Sequence, residues 1–192
     1  MKKEQFVFIH IPKCAGNSVT SDHFRNFSHD LRNENFKYFK DSYERSLSKF
    51  SFTFVRNPWD RLVSSYEYLK NGGNCPLDAE DYLNLFSKYE NFKEMVLNWE
   101  EVFFDQIHFK SQSDWICDND GNIIVDFVGK VENLQQDFDI VCDRIQIPRK
   151  KLPHANKTNH KHYTEYYDDE IREIVAKKYA RDIEYFGYKF GE

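Results

Sequence analysis

In the stretch HIPKCAGNS, residues 10–18, a lysine, three small residues and two polar side chains stand between an apolar run and a helix-like segment. Strand, short loop and helix start together make a phosphate cradle, because unpaired backbone amides at such a junction favour an anion. Lys13 adds a positive charge, and Asn17 and Ser18 add polar groups. The spacing is not that of a Walker A loop, G-x-x-x-x-G-K-[ST], since the lysine precedes the glycine; an ordinary kinase or ATPase is disfavoured. The plainer alternative is that Pro12 and Gly16 turn the chain and Lys13 is a solvated surface charge. A second motif, TFVRNPWDRLVSSY, sets Arg56 at another strand end and Ser64 eight residues later. A guanidinium fork and a hydroxyl suit a second phosphate. Two anion sites at neighbouring strand ends imply a ligand phosphorylated at both ends.

The elements that must hold these groups follow from periodicity. FVFI predicts a strand over 5–10 and FSFTFV one over 50–55, with a helix from about 17 to 27 and a polar segment to 48 between them. In RNPWDRLVSSYEYLK, Asn57 can cap a helix, Pro58 suits its first position, and Asp60 can return a carboxylate to the cap amide. Trp59, Leu62, Val63, Tyr66 and Leu69 recur at helical spacing as a core stripe, with Ser64 away from it. Residues 79–110 read as two amphipathic helical pieces. After a turn at DNDGN, IIVDFVGK predicts a buried strand and VENLQQDFDIVCDRI a helix; PRKKLPHANKTNHKHY predicts a loop. A last helix is expected from about Asp168 to Tyr185, acidic at its start and basic later. Strands alternating with helices predict an α/β, P-loop-like three-layer fold with a mainly parallel central sheet flanked by helices. Ligands of such sheets sit beyond the carboxyl ends of the strands, where Lys13 and Arg56 both fall.

Composition bounds the rest. A chain of 192 residues with 40% hydrophobic side chains is expected to form one domain, residues 1–192, and is too apolar for disorder. The net charge of −5 argues against coating nucleic acid, so any anion site is local. No apolar run approaches the length of a spanning helix and no leader precedes Phe6, so the chain reads as soluble and cytoplasmic. Cys14, Cys75, Cys117 and Cys142 form no C-x-x-C pair, and free thiols are expected.

With these blocks quoted, the sequence resembles the sulfotransferases that use 3′-phosphoadenosine 5′-phosphosulfate (PAPS). HIPKCAGNS is similar to their 5′-phosphosulfate loop, and FVRNPWDRLVSSY to their 3′-phosphate motif. The similarity is greatest to the carbohydrate branch that includes heparan sulfate 2-O-sulfotransferase and small bacterial relatives. It continues through VDFVGKVENLQQDF, LPHANKTNHKHYTEYYDDEI and DIEYFGY. The resemblance implies Lys13 at the sulfate-bearing end, with Cys14, Ala15, Gly16, Asn17 and Ser18 along the loop that wraps the 5′-phosphate. It implies Arg56 and Ser64 on the 3′-phosphate, and Lys157 and Thr158 of the NKT loop closing over the nucleotide. Cys14 stands where related sequences often have threonine, and is either a redox-sensitive thiol or a small space-filling residue.

The implied reaction is transfer of a sulfuryl group to a carbohydrate hydroxyl, with PAPS as donor, adenosine 3′,5′-bisphosphate (PAP) as product and no metal required. Alignment and stabilisation of charge on the departing phosphate oxygens should supply most of the catalysis, which suits Lys13 and the loop amides. The acceptor hydroxyl also needs a base, and the resemblance favours a histidine between the two phosphate motifs. His29 fits that position better than His23; Asp22 and Glu132 stay open as acids in the same role. His10 reads as structural or as a neighbour of the cradle. His154, His160 and His162 sit in a loop whose H-x-H spacing is weak evidence of a metal. Trp115, Tyr163, Tyr166 and Tyr167 can stack on a sugar or serve the core. The acidic balance favours a neutral or lightly charged glycan over a highly sulfated one. The rival readings are a kinase-like phosphoryl transferase, which needs magnesium, and a non-catalytic module that binds nucleotide or glycan.

Overall fold

The structure, a computed structural model, describes residues 6–20, 50–153 and 161–192, apart from the Val102 side chain. The described residues fall into two compact units, one within Met1–Arg56 and Gln112–Asn156, the other within Asn57–Ser111 and Lys157–Glu192.

The first unit is built on a parallel sheet of β1 (Phe6–Ile9), β2 (Phe50–Val55) and β3 (Phe127–Lys130), in the order β1-β2-β3. Phe6 lies opposite Phe50 and Ile9 opposite Thr53, while Phe52 lies opposite Phe127 and Val55 opposite Lys130. β1 is apolar throughout, β2 alternates Phe with Ser51 and Thr53, and every residue of the two strands but Phe50 is buried, as strands covered on both faces require. Phe8, Phe52 and Phe54 are fully buried, and the rings of Phe8 and Phe52 stack at 5.1 Å. Each such side chain contributes about 1.5–3 kcal/mol of transfer free energy. Gly129 answers Phe54: a Cβ there would lie 2.6 Å from that ring. α1 (Gly16–Val19) follows β1, and α6 (Leu134–Arg144) follows β3 and buries Phe138, Val141 and Cys142.

β3 is shorter than the sequence predicts. Ile123 instead pairs antiparallel with Cys117, and Asp126 turns its carboxylate to accept from the Ser51 amide and hydroxyl, both at 2.7 Å. Only after Asp126 does the chain join the sheet, and Phe127 and Val128 remain half-buried.

The second unit centres on α2 (Pro58–Lys70), where Asn57 caps the helix by accepting from the Trp59 amide at 3.2 Å. Leu62, Val63, Tyr66 and Leu69 enter a core with Phe86, Phe92, Met95, Phe103, Phe109 and Val175. Residues 79–110 break more often than expected. α3 (Pro76–Asp81) runs into a π-turn at Tyr82–Phe86, Asn91 starts α4 (Phe92–Leu97) by accepting from the Glu94 amide, and Glu101–Asp105 is a 3-10 turn. The last helix is also two. α7 (Asp169–Lys178) ends at Tyr179, and α8 (Ala180–Phe186) follows. Tyr179 is buried and donates to the Phe109 carbonyl, a tertiary bond that helical periodicity does not register. Among the described residues no helix is long and apolar enough to cross a membrane.

Candidate active site

Beyond Ile9 the chain leaves β1 and must turn sharply into α1. Lys13 (φ 67°) and Ala15 (φ 59°) make that turn in the left-handed region, which costs a residue with a Cβ about 1–2 kcal/mol. Such alternation swings successive N–H groups to one side and forms a nest for an anion. Within the loop, the Cys14 amide donates to the Ile11 carbonyl at 3.2 Å, and the Ser18 and Val19 amides donate to the Ala15 carbonyl. The amides of Ala15, Gly16 and Asn17 have no backbone acceptor among the described residues, and they are consecutive.

Gly16 does a different job from the one its type suggests. It does not occupy the left-handed region; a Cβ there would instead lie 1.8 Å from His10 Nε2. The imidazole lies over the glycine and stacks on Phe8 (centroids 5.9 Å, planes at 15°), which joins the loop to the core of the sheet.

The second motif begins where β2 stops. Thr53 Oγ1 donates to the Ile9 carbonyl at 2.7 Å and locks the two strands at their carboxyl ends. Arg56, half-buried, donates from Nη1 to the Lys13 carbonyl at 3.3 Å. Its amide donates to Gln112 Oε1 at 2.8 Å and its carbonyl accepts from Gln112 Nε2 at 2.9 Å. The Cys14 thiol, also buried, donates to the same Oε1 at 3.1 Å. The structure thus brings Lys13, Cys14 and Arg56 together through Gln112, a residue that sequence reasoning passed over. Its type and position in KSQSDWI carry no motif; only its complete burial reveals it.

The other residues singled out from the sequence have places of their own in the fold. Ser64 lies on α2 in the second unit and is buried, because that helix is covered on more than the predicted stripe. Glu132 is exposed just after β3. Tyr163, Tyr166 and Tyr167 belong to the second unit's packing: Tyr167 donates to the Trp59 carbonyl at 3.0 Å, Tyr166 to Glu67 Oε1 at 3.1 Å, and Phe190 meets both Tyr163 and Tyr167 edge-on. Burial pushes the Tyr166 hydroxyl up to about 12. His162 is exposed and its Nδ1 lies 2.7 Å from Thr164 Oγ1. His29, His23, Asp22, Lys157, Thr158, His154 and His160 lie outside the described residues. Among the described residues no group of three His, Cys, Asp or Glu side chains is arranged to hold a metal.

What this arrangement can do chemically is bind anions: a nest of amides, an ammonium on the loop and a guanidinium at the next strand end form a donor set for phosphate. A family model described as Sulfotransferase family matches residues 1–189. An uncharacterized protein of Archaeoglobus fulgidus is 34% identical over 98 residues, which are 50% of this chain and 68% of that protein.

Proposed function

From the premise that this chain belongs to the sulfotransferase family, matched over residues 1–189, we propose that it transfers a sulfuryl group from PAPS to a hydroxyl of a carbohydrate. The observation that carries this reading is the strained loop at Lys13 and Ala15, tied to Arg56 at the carboxyl ends of adjacent parallel strands. Strain in a non-glycine loop persists where the surrounding structure enforces it, and such residues cluster at binding sites. PAPS supplies the sulfuryl group and leaves as PAP.

The proposed roles divide along the loop. Amides of residues 15–17, with Ser18, receive the 5′-phosphate, and the Lys13 ammonium meets the oxygen on which negative charge develops as the S–O bond breaks. Arg56 and Ser64, by their motif, take the 3′-phosphate, and Lys157 and Thr158 close over the nucleotide. His29 accepts the proton of the attacking hydroxyl, with His23, Asp22 and Glu132 as the alternatives that substitution must separate. No metal is assigned a part. In this reading the chain is one catalytic domain of the heparan sulfate 2-O-sulfotransferase-like branch, working in the cytoplasm on a neutral or lightly charged glycan.

Calorimetric titration with PAP, adenosine 5′-phosphate and ATP, with and without magnesium, tests the donor site. Tight binding that needs the 3′-phosphate and no metal is the expected result. A preference for ATP with magnesium would overturn the reading in favour of a phosphoryl transferase. Binding without transfer to any glycan hydroxyl would reduce the protein to a nucleotide-binding module.

A further inference from the structure

Two anion motifs recognise one nucleotide only if their separation is held, and loop residues 13–18 and Arg56 are far apart in sequence. The hydrogen bonds of β1 to β2 end at Thr53 and Ile9, so Arg56 lies beyond the paired part of that ladder. Its amide and carbonyl are nevertheless both satisfied, by the single side chain of Gln112, at 2.8 and 2.9 Å. A primary amide carries one acceptor and one donor group with the same spacing as a peptide unit, so it can stand in for a neighbouring strand. Gln112 is fully buried, sits at the start of α5 (Ser113–Ile116), and its Oε1 has a second donor, the Cys14 thiol. Arg56 Nη1 to the Lys13 carbonyl completes a closed circuit through Cys14, Gln112 and Arg56.

We propose that Gln112 is a positioning residue: it fixes the Arg56 backbone against the Lys13–Cys14 turn and thereby sets the preference for a nucleotide phosphorylated at both ends. The inference rests on the donor site proposed above. Among the described contacts, Gln112 makes two amide hydrogen bonds to the Arg56 backbone and accepts one from the weaker thiol donor of the loop, so loss of Gln112 should be felt chiefly where Arg56 acts.

The test is the ratio of affinities for PAP and adenosine 5′-phosphate in Gln112→Ala and Gln112→Glu. Gln112→Glu keeps an acceptor for the Arg56 amide and the thiol, but loses the donor to the Arg56 carbonyl and sets negative charge against it. In Gln112→Ala the ratio is expected to fall about tenfold or more, the size of one hydrogen bond to a charged group, with the smaller change in adenosine 5′-phosphate binding. Gln112→Glu, which preserves volume, should fall in the same direction and serves if the alanine variant does not fold. On an Arg56→Ala background neither substitution should lower the ratio further. Parallel loss of both affinities, or a ratio unchanged in the folded variants, would overturn the proposal. If the wild-type protein itself shows no preference for the 3′-phosphate, the donor-site reading fails first and takes this inference with it.

Discussion

Gly16→Ala is the substitution on which the geometry bears most directly. Alanine normally stabilises a backbone position of ordinary φ by about 0.4–1 kcal/mol, because it restricts the unfolded chain. Here the new Cβ would meet His10 Nε2 at 1.8 Å, Cδ2 at 2.0 Å and Cε1 at 2.4 Å. Ordinary contact between such atoms needs about 3.5 Å or more, so the ring must retreat by roughly 1.5–2 Å, more than packed backbone yields. The imidazole therefore has to leave its stack on Phe8, and overpacking of this kind costs about 1–3 kcal/mol. For a chain of this length that corresponds to a fall in Tm of roughly 2–12 °C. The same substitution made in His10→Ala should be neutral or stabilising, since the obstacle is gone and the backbone conformation suits alanine. Thermal melts of the four proteins, with PAP titrations alongside, measure the coupling. A Gly16→Ala protein as stable as wild type would refute the argument, as would an equal loss in the His10→Ala background.

Lys13→Ala is expected to lower turnover more than it weakens nucleotide binding, and Arg56→Ala to do the reverse; steady-state rates set beside calorimetric affinities decide, and equal effects would contradict the division of roles. Of the four free cysteines only Cys75 is exposed, so a thiol reagent should label it first and reach Cys14, Cys117 and Cys142 only on unfolding. Burial, then Asp139 and Asp143, push the Cys142 thiol up to about 11, which keeps it protonated and inert at neutral pH. Asp168 caps α7 through the Ile171 amide and pairs with Lys93, and the Lys93 hydrogen bond, then the amide, hold its carboxyl below the ordinary range. Its folded pKa is depressed, so its stabilisation is present above the ordinary carboxylate range and lost as pH falls through the lowered value. Melts from about pH 7 to about pH 3 should therefore show Asp168→Asn less stable than wild type at neutral pH, with the two converging in acid.

Much of the sheet was legible because its signals are local. FSFTFV sets Phe at every other position and closes on Val, and β2 runs Phe50–Val55 as expected. Asn57 and Pro58 announce a helix start by their own chemistry, and the cap is present. The misreadings share one physical cause: tertiary partners decide them. Tyr179 interrupts a periodic stretch because its hydroxyl reaches Phe109, and residues 123–126 of the predicted strand stay out of β3, with Asp126 turned to Ser51. At the site, residue types pointed to Lys13 and Arg56, whereas the reason for Gly16 lay in a histidine six residues earlier that only the fold sets above it. Gln112 was illegible because a buried amide pairing with a distant backbone leaves no periodic trace.

The parallel sheet also has a consequence for how the chain acquires its structure. Phe6 must wait for Phe50, and Phe52 for Phe127, so neither pairing can begin as a hairpin. Closing long loops before any ladder forms makes such topologies slow to fold. Meanwhile FVFI and FSFTFV, uncharged, free of proline and rich in strand-formers, lie uncovered. Segments of that kind pair readily with copies of themselves. Refolding is thus a race between intramolecular closure, indifferent to dilution, and self-association, which dilution suppresses, and the yield of native protein should rise as the chain concentration is lowered.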